Sequence, residues 1–206
     1  MKSNKALRIV AGIISILYGL HCFAGYVVND ILEACFESIN TFMSFNTSLM
    51  FILMGIGMLV GKRIIVGIGA AAVAAAAVAG MLSMFDIISG LRYINDETII
   101  YLLLNYLLYI AAFTFLALNS FLPKPVKALR LLTVIFIICA DFVLPRMYIL
   151  IVYDFDFENY FEFMVLYYRS FQILVELLQM ASVILLALGL REEPKARDAM
   201  RMEYYR

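Results

Sequence analysis

In the stretch ICADFVLPRMY (138–148), an acid, a proline and a base fall close together in sequence that is otherwise apolar. Pro145 has no N–H for the carbonyl four residues earlier, which is that of Asp141, and its ring pushes against the same group. A kink is expected there. Asp141 would then offer a carboxyl and a released carbonyl at one level. Arg146 is five residues on, about 140° around an ideal helix, so the two do not simply face each other. The chemistry this suits is binding. Asp141 lacks an obvious basic partner and is left to meet His21, a ligand or water.

Other polar groups fall at a similar level. Gln172, Glu176 and Gln179 are spaced i, i+4, i+7 and make one stripe on a helix. Thr98, Tyr101, Asn105 and Tyr109 make a second, and Tyr18 and His21 share a face near the N-terminus. Counted from the nearest basic anchors at about 1.5 Å per residue, Asp141 lies about 16 Å deep, Gln179 about 18 Å and His21 about 20 Å. On the same scale Glu176 lies at about 22 Å, Asn46 and Arg146 at about 24 Å, and Asn105 at about 28 Å. A charge at the centre of a membrane helix costs about 2.5–3.5 kcal/mol on insertion scales, so such groups turn inward and are candidates for function. The ligand-binding candidates are therefore His21, Asn46, Asn105, Asp141, Gln172, Glu176 and Gln179. Arg146 and Glu176, matched in depth, are the expected structural ion pair. That pair, with Asp141 bonded to a helix backbone, would explain the same residues without any ligand.

No catalytic residue, cofactor or metal site is expected. His21 is the only histidine, and Cys22, Cys35 and Cys139 are too scattered for a disulfide framework or a metal motif. The net charge is zero, and no nucleic-acid motif is present.

The elements that carry these groups follow from hydropathy. The chain has 206 residues, 65% of them hydrophobic and 16% charged. A soluble domain carries roughly 25% charged residues. One water-soluble core cannot bury so much apolar surface, so the composition predicts an all-α, polytopic membrane protein. Six spans of about 20 residues are expected near 9–28, 43–61, 64–85, 98–121, 131–152 and 168–190, forming a single domain over 1–190 with a tail at 191–206. The basic start followed by an apolar run resembles a signal peptide, but the run is long enough to span and is read as a retained first helix.

Thirteen of the sixteen Lys and Arg residues flank these spans on one side: Lys2, Lys5 and Arg8; Lys62 and Arg63; Lys124, Lys127 and Arg130; and five in the tail. The positive-inside rule places both termini in the cytoplasm, in the plasma membrane. Segments 31–42 and 154–163 carry acids and aromatics at helical spacing and are expected as short amphipathic segments on the outer face. Similar basic openings at 6–10, 61–66 and 128–134 hint at three related hairpins.

Small residues mark the second and third spans. Gly57 and Gly61 form a GxxxG pair, and Gly67, Ala71, Ala75 and Ala79 a seam at four-residue spacing. Helices associate in lipid through close packing that small side chains permit. The seam is expected to pack within the hairpin or to dock another membrane protein. In architecture alone, the six-span plan resembles that of the substrate-binding subunits of energy-coupling-factor importers. The expected function is binding or transport of a small solute through an outward-facing polar cavity, in contact with the lipid bilayer. The alternatives are a membrane scaffold docking through the third span and, behind it, a membrane-embedded enzyme.

Overall fold

The structure, a computed structural model, describes residues 3–31, 45–90, 96–152 and 172–190. Every regular element among them is helical. Helix α1 runs Ser3–Ile31, α2 Phe45–Val60, α3 Arg63–Gly90 and α4 Asp96–Phe121. The next helix comes in three pieces: α5 (Lys127–Ile138), a π-helical turn (Cys139–Val143) and α6 (Leu144–Val152). Helix α7 is Gln172–Gly189. The segments at 31–42 and 154–163 and the tail at 191–206 lie outside the described residues, Ile31 excepted.

Among the described residues, four helices are long and apolar enough to cross a membrane: Lys5–Ala24, Arg63–Ser83, Ile99–Phe121 and Lys127–Tyr148. Asn46–Val60 and Val175–Gly189 are shorter apolar helices. The distribution of side chains matches. Leu17, Ile64, Leu82, Leu107 and Leu131 face outward, whereas Ser15, Thr47, Ser48, Asn119, Thr133, Asp141, Gln179 and Ser182 are buried. Water would reverse this pattern; hydrocarbon around the bundle favours it.

Each helix packs against its neighbour in sequence, and α7 sits between α5 and α1, closing the bundle into a ring. Tyr18, Phe51, Met54, Phe113, Leu116, Ile137, Val183 and Leu186 fill the centre. The closest backbone approach described is between α1 and α2. A Cβ on Gly12 would fall 2.8 Å from the Gly55 carbonyl oxygen, and one on Gly55 would fall 2.6 Å from that of Gly12. Ser15 fastens the crossing by donating to the Phe51 carbonyl at 2.8 Å. This small-residue contact was not singled out in the sequence. Its signal is Gly12 and Gly19 at i, i+7 on one face of α1.

The expected seams are partly redrawn. Gly57 is buried against Ile65 and Val66 of α3, and Gly67 against the Phe121 ring of α4. Gly61 is not a packing glycine. It takes φ +80 between α2 and α3. Its N–H bonds to the Met58 carbonyl, and that of Lys62 to the Gly57 carbonyl. This is the Schellman ending, which favours glycine at that one position. Ala71, Ala75 and Ala79 are exposed, so they do not pack within the hairpin. Helix α3 instead buries Val66, Ala70, Val73, Ala74 and Ala77. An apolar helix carries small residues all round, so four-residue spacing alone does not reveal which row faces inward.

Two arginines bind this end of the bundle. Arg8 of α1 donates to the Met58 carbonyl in the last turn of α2, from Nε at 3.4 Å and from Nη2 at 3.3 Å. Arg63, the first residue of α3, donates to the carbonyls of Asn119 (3.0 Å), Leu122 and Pro123 (3.2 Å) where α4 ends. Helix C-termini leave carbonyls without partners, and a cation there answers both the hydrogen bond and the dipole. Each of these two hairpins thus opens on an arginine that caps its own second helix.

Candidate functional site

The π-helical turn sets the position of Asp141. The Leu144 N–H bonds to the Cys139 carbonyl, five residues back. The widened turn makes room for the ring of Pro145. It turns Asp141 into the bundle, 5% exposed, while Phe142 and Val143 face outward. Arg146 then serves the carbonyls that the proline unsettles. Its Nη1 donates to the Phe142 carbonyl at 2.8 Å and reaches that of Asp141 at 3.4 Å. The guanidinium carbon lies 3.9 Å over the Phe142 ring. Where an ion pair with Glu176 was expected, the contacts described for Arg146 are within its own helix. The reason is local: carbonyls four and five residues back are within reach, and left bare among apolar groups they would be costly.

Asp141 belongs to a buried cluster drawn from α1, α4, the π-turn and α7. Gln179 is its hub. Its amide oxygen accepts from the Tyr18 hydroxyl at 2.5 Å. Its Nε2 donates to the Tyr109 hydroxyl oxygen at 2.9 Å and, more loosely, to Asp141 Oδ1 at 3.4 Å. The Tyr109 hydroxyl donates to the same Oδ1. Both ends of the amide are therefore used, as burial demands. The other carboxylate oxygen differs: Asp141 Oδ2 is buried with no hydrogen-bond partner among the described residues.

Aromatic rings complete the circle. The Phe51 ring meets Tyr18 edge-on at 4.7 Å and Phe113 at 5.7 Å. Phe113 is offset from Tyr109 at 6.5 Å. Tyr18 and Tyr109 thus belong to two networks, one polar and one aromatic. Together these link α1, α2, α4, the π-turn and α7.

The two sides of Asp141 are unequal. Away from the basic end, Asn105 donates to the Tyr101 hydroxyl at 3.3 Å, and Tyr101 stacks on Tyr148 at 4.3 Å. Glu176, half-buried and a turn from Gln179, acts electrostatically on both Asp141 and Tyr101. Toward the basic end the centre is closed by Phe113, Leu116, Ile137, Val183 and Leu186. The large polar side chains of the stripe therefore end at Asp141 and Gln179, with the small buried hydroxyls of Ser15, Thr133 and Ser182 beyond them.

Of the expected candidates, the structure brings Asp141 and Gln179 together, with Glu176 and Asn105 further along the stripe. His21 and Asn46 are exposed and stand outside the cluster. The side chain of Gln172 lies outside the described residues. Tyr18 and Tyr109 complete the cluster, although neither is among the expected binding candidates. Their signal is the spacing: Tyr109 continues Tyr101 and Asn105 at every fourth residue. Among the described residues, no group of three His, Cys, Asp or Glu side chains is placed to hold a metal ion. No known protein family matches the chain, and no curated protein or solved structure shows significant similarity to it.

Proposed function

We propose that this chain is a membrane-embedded binding or transport protein for a small solute, and that its site is the polar stripe ending at Asp141. The observation that supports this is the half-used carboxyl. Asp141 spends Oδ1 on two donors and keeps Oδ2 buried and, among the described residues, unpartnered. Leaving a buried polar atom unsatisfied costs about 1–3 kcal/mol, and more when it is charged. Ionisable groups inside a membrane protein are functional candidates for that reason. The carboxyl and the surrounding hydroxyls suit a cationic or hydrogen-bond-donating solute. By the positive-inside rule, the basic end carrying Lys62, Arg63 and Lys124 lies in the cytoplasm. The stripe then opens to the opposite face, and six spans place both termini inside.

The binding test is a thermal-shift comparison of the detergent-purified chain with sodium, methylammonium, guanidinium and acetamide. Stabilisation of the wild type by one of these, lost in Asp141→Asn, is the expected result. No stabilisation by any of the four rejects a cationic or donor solute of this size. Orientation is tested separately, with cysteines placed at Lys62 and Lys124. A membrane-impermeant maleimide should label both only from the cytoplasmic side, and labelling from opposite sides rejects the topology.

A second reading is favoured by a different feature. Ala71, Ala75 and Ala79 form an exposed small-residue row, as on a subunit that docks another membrane protein. Loss of a co-purifying partner in Ala75→Leu, with Asp141→Asn without effect, would select that scaffold role.

A further inference from the structure

The arrangement around Asp141 narrows what its open oxygen holds. Metal ions need several oxygens at once. Here the nearby oxygens are already engaged. The Gln179 amide oxygen accepts from Tyr18, the Tyr109 hydroxyl is both donor and acceptor, and the Asp141 carbonyl lies toward Arg146. One free carboxylate oxygen is a poor cage for a metal ion but sufficient for a proton.

We infer that Asp141 is a proton-exchange site. Oδ2 takes up and releases one proton through the stripe that leads away from the basic end, while Tyr109 and Gln179 hold Oδ1 in place. This deepens the reading of the Asp141 stripe as a binding site but needs no other solute.

Three observations carry it. The first is the division of labour within the carboxyl, with one oxygen fixed and one open. Two donors on Oδ1 hold the group without neutralising it, and Oδ2 is left as the place where a proton bonds.

The second is the charge environment from every element packed against the site. Helix α1 presents Tyr18 and Cys22, α4 presents Tyr101 and Tyr109, and α7 presents Glu176. Of the cations on Asp141's own helix, Lys127 and Arg130 stand at its far basic end, and Arg146 is turned to backbone carbonyls. Among the described residues, none of the groups that face Asp141 is a base that would fix it as a permanent carboxylate. Glu176 also acts electrostatically on Asp141, and it is a second carboxyl and not a cation.

The third is the one-sided path. Tyr101, Asn105 and Glu176 provide groups that can pass a proton, whereas on the opposite side the large buried side chains are apolar and the hydroxyls of Ser15 and Thr133 are spent on backbone carbonyls. The site therefore exchanges with one face only in this conformation. That is the condition a coupling-ion site has to meet before a conformational change exposes it to the other face.

The test is infrared titration of the purified full chain in nanodiscs. At low pH the wild type should show a protonated-carboxyl C=O band that shifts on transfer to deuterated water. Alkalinisation within the folded range should replace it with carboxylate bands. The band should vanish in Asp141→Asn and persist, displaced, in Asp141→Glu. In Glu176→Gln it should remain while its titration midpoint moves. Circular dichroism of each variant checks the fold, and the Asp141→Glu band keeps the assignment testable if Asp141→Asn unfolds. The inference is overturned if no such band belongs to residue 141 at any pH. It is also overturned if the band does not change throughout the folded range. Titration without stabilisation by any of the four solutes would sustain proton exchange and remove the solute reading. Solute stabilisation without titration would do the reverse.

Discussion

At the scale of single residues, Gln179 controls more than Asp141 does. It is the amide whose two ends meet three partners on three other elements. Hydrogen bonds in membrane proteins average about 0.6 kcal/mol each, but stranding a buried group costs about 1–3 kcal/mol. Gln179→Leu leaves three groups short of a partner and should cost about 2–4 kcal/mol on that basis. Tyr18→Phe removes one hydroxyl and should cost about 1 kcal/mol. Unfolding by sodium dodecyl sulfate in mixed micelles checks both, and the reverse order would contradict the hub. The sequence made Asp141 and Gln179 legible because a strong polar group in an apolar run has few interpretations. It did not reveal the contacts Arg146 makes within its own helix. Depth counting matches levels across helices, but a guanidinium next to a proline finds stranded carbonyls on its own helix first.

At the scale of the element, α3 shows what periodicity can and cannot say. That 64–85 would be helical was plain from its length and its alanines, which are strong helix formers. Which alanines face inward was not, because a helix apolar on all sides has no marked face. The structure buries Ala77 and exposes Ala75. Ala77→Leu should therefore destabilise the bundle by about 1–3 kcal/mol through overpacking, and Ala75→Leu by less than about 0.5 kcal/mol. Equal effects on detergent melting temperature would reverse the assignment of faces. The capping arginines act at this scale too. Arg63→Met keeps the apolar stem but strips the end of α4 of its donor and should cost about 1–2 kcal/mol, read from the same melting curves. Lysine at 63 should recover only part of the loss, since a single ammonium does not span three carbonyls as a guanidinium fork does.

At the scale of the whole molecule, helices of this apolar kind were readable because lipid imposes so strong a constraint on sequence. The ring they form was not. Nothing in a linear pattern says that α7 returns to α1, because that contact depends on side-chain shape across a gap of about 160 residues, as between Tyr18 and Gln179. The closure has a consequence for biogenesis. A membrane chain is inserted in order, so α1 and α4 enter lipid before α7 is made. Until then the hydroxyl of Tyr18 has no Gln179 to meet, and Tyr109 and Asp141 lack its amide. A nascent chain halted before residue 172 would therefore hold polar groups that lipid cannot satisfy, the kind of signal that chaperones and membrane proteases read. Such a chain should be degraded quickly in a pulse-chase experiment. Supplying residues 172–206 as a separate segment should lengthen its half-life, and Gln179→Leu in that segment should cancel the rescue. The last helix described thus acts as the inspection stamp on the whole assembly.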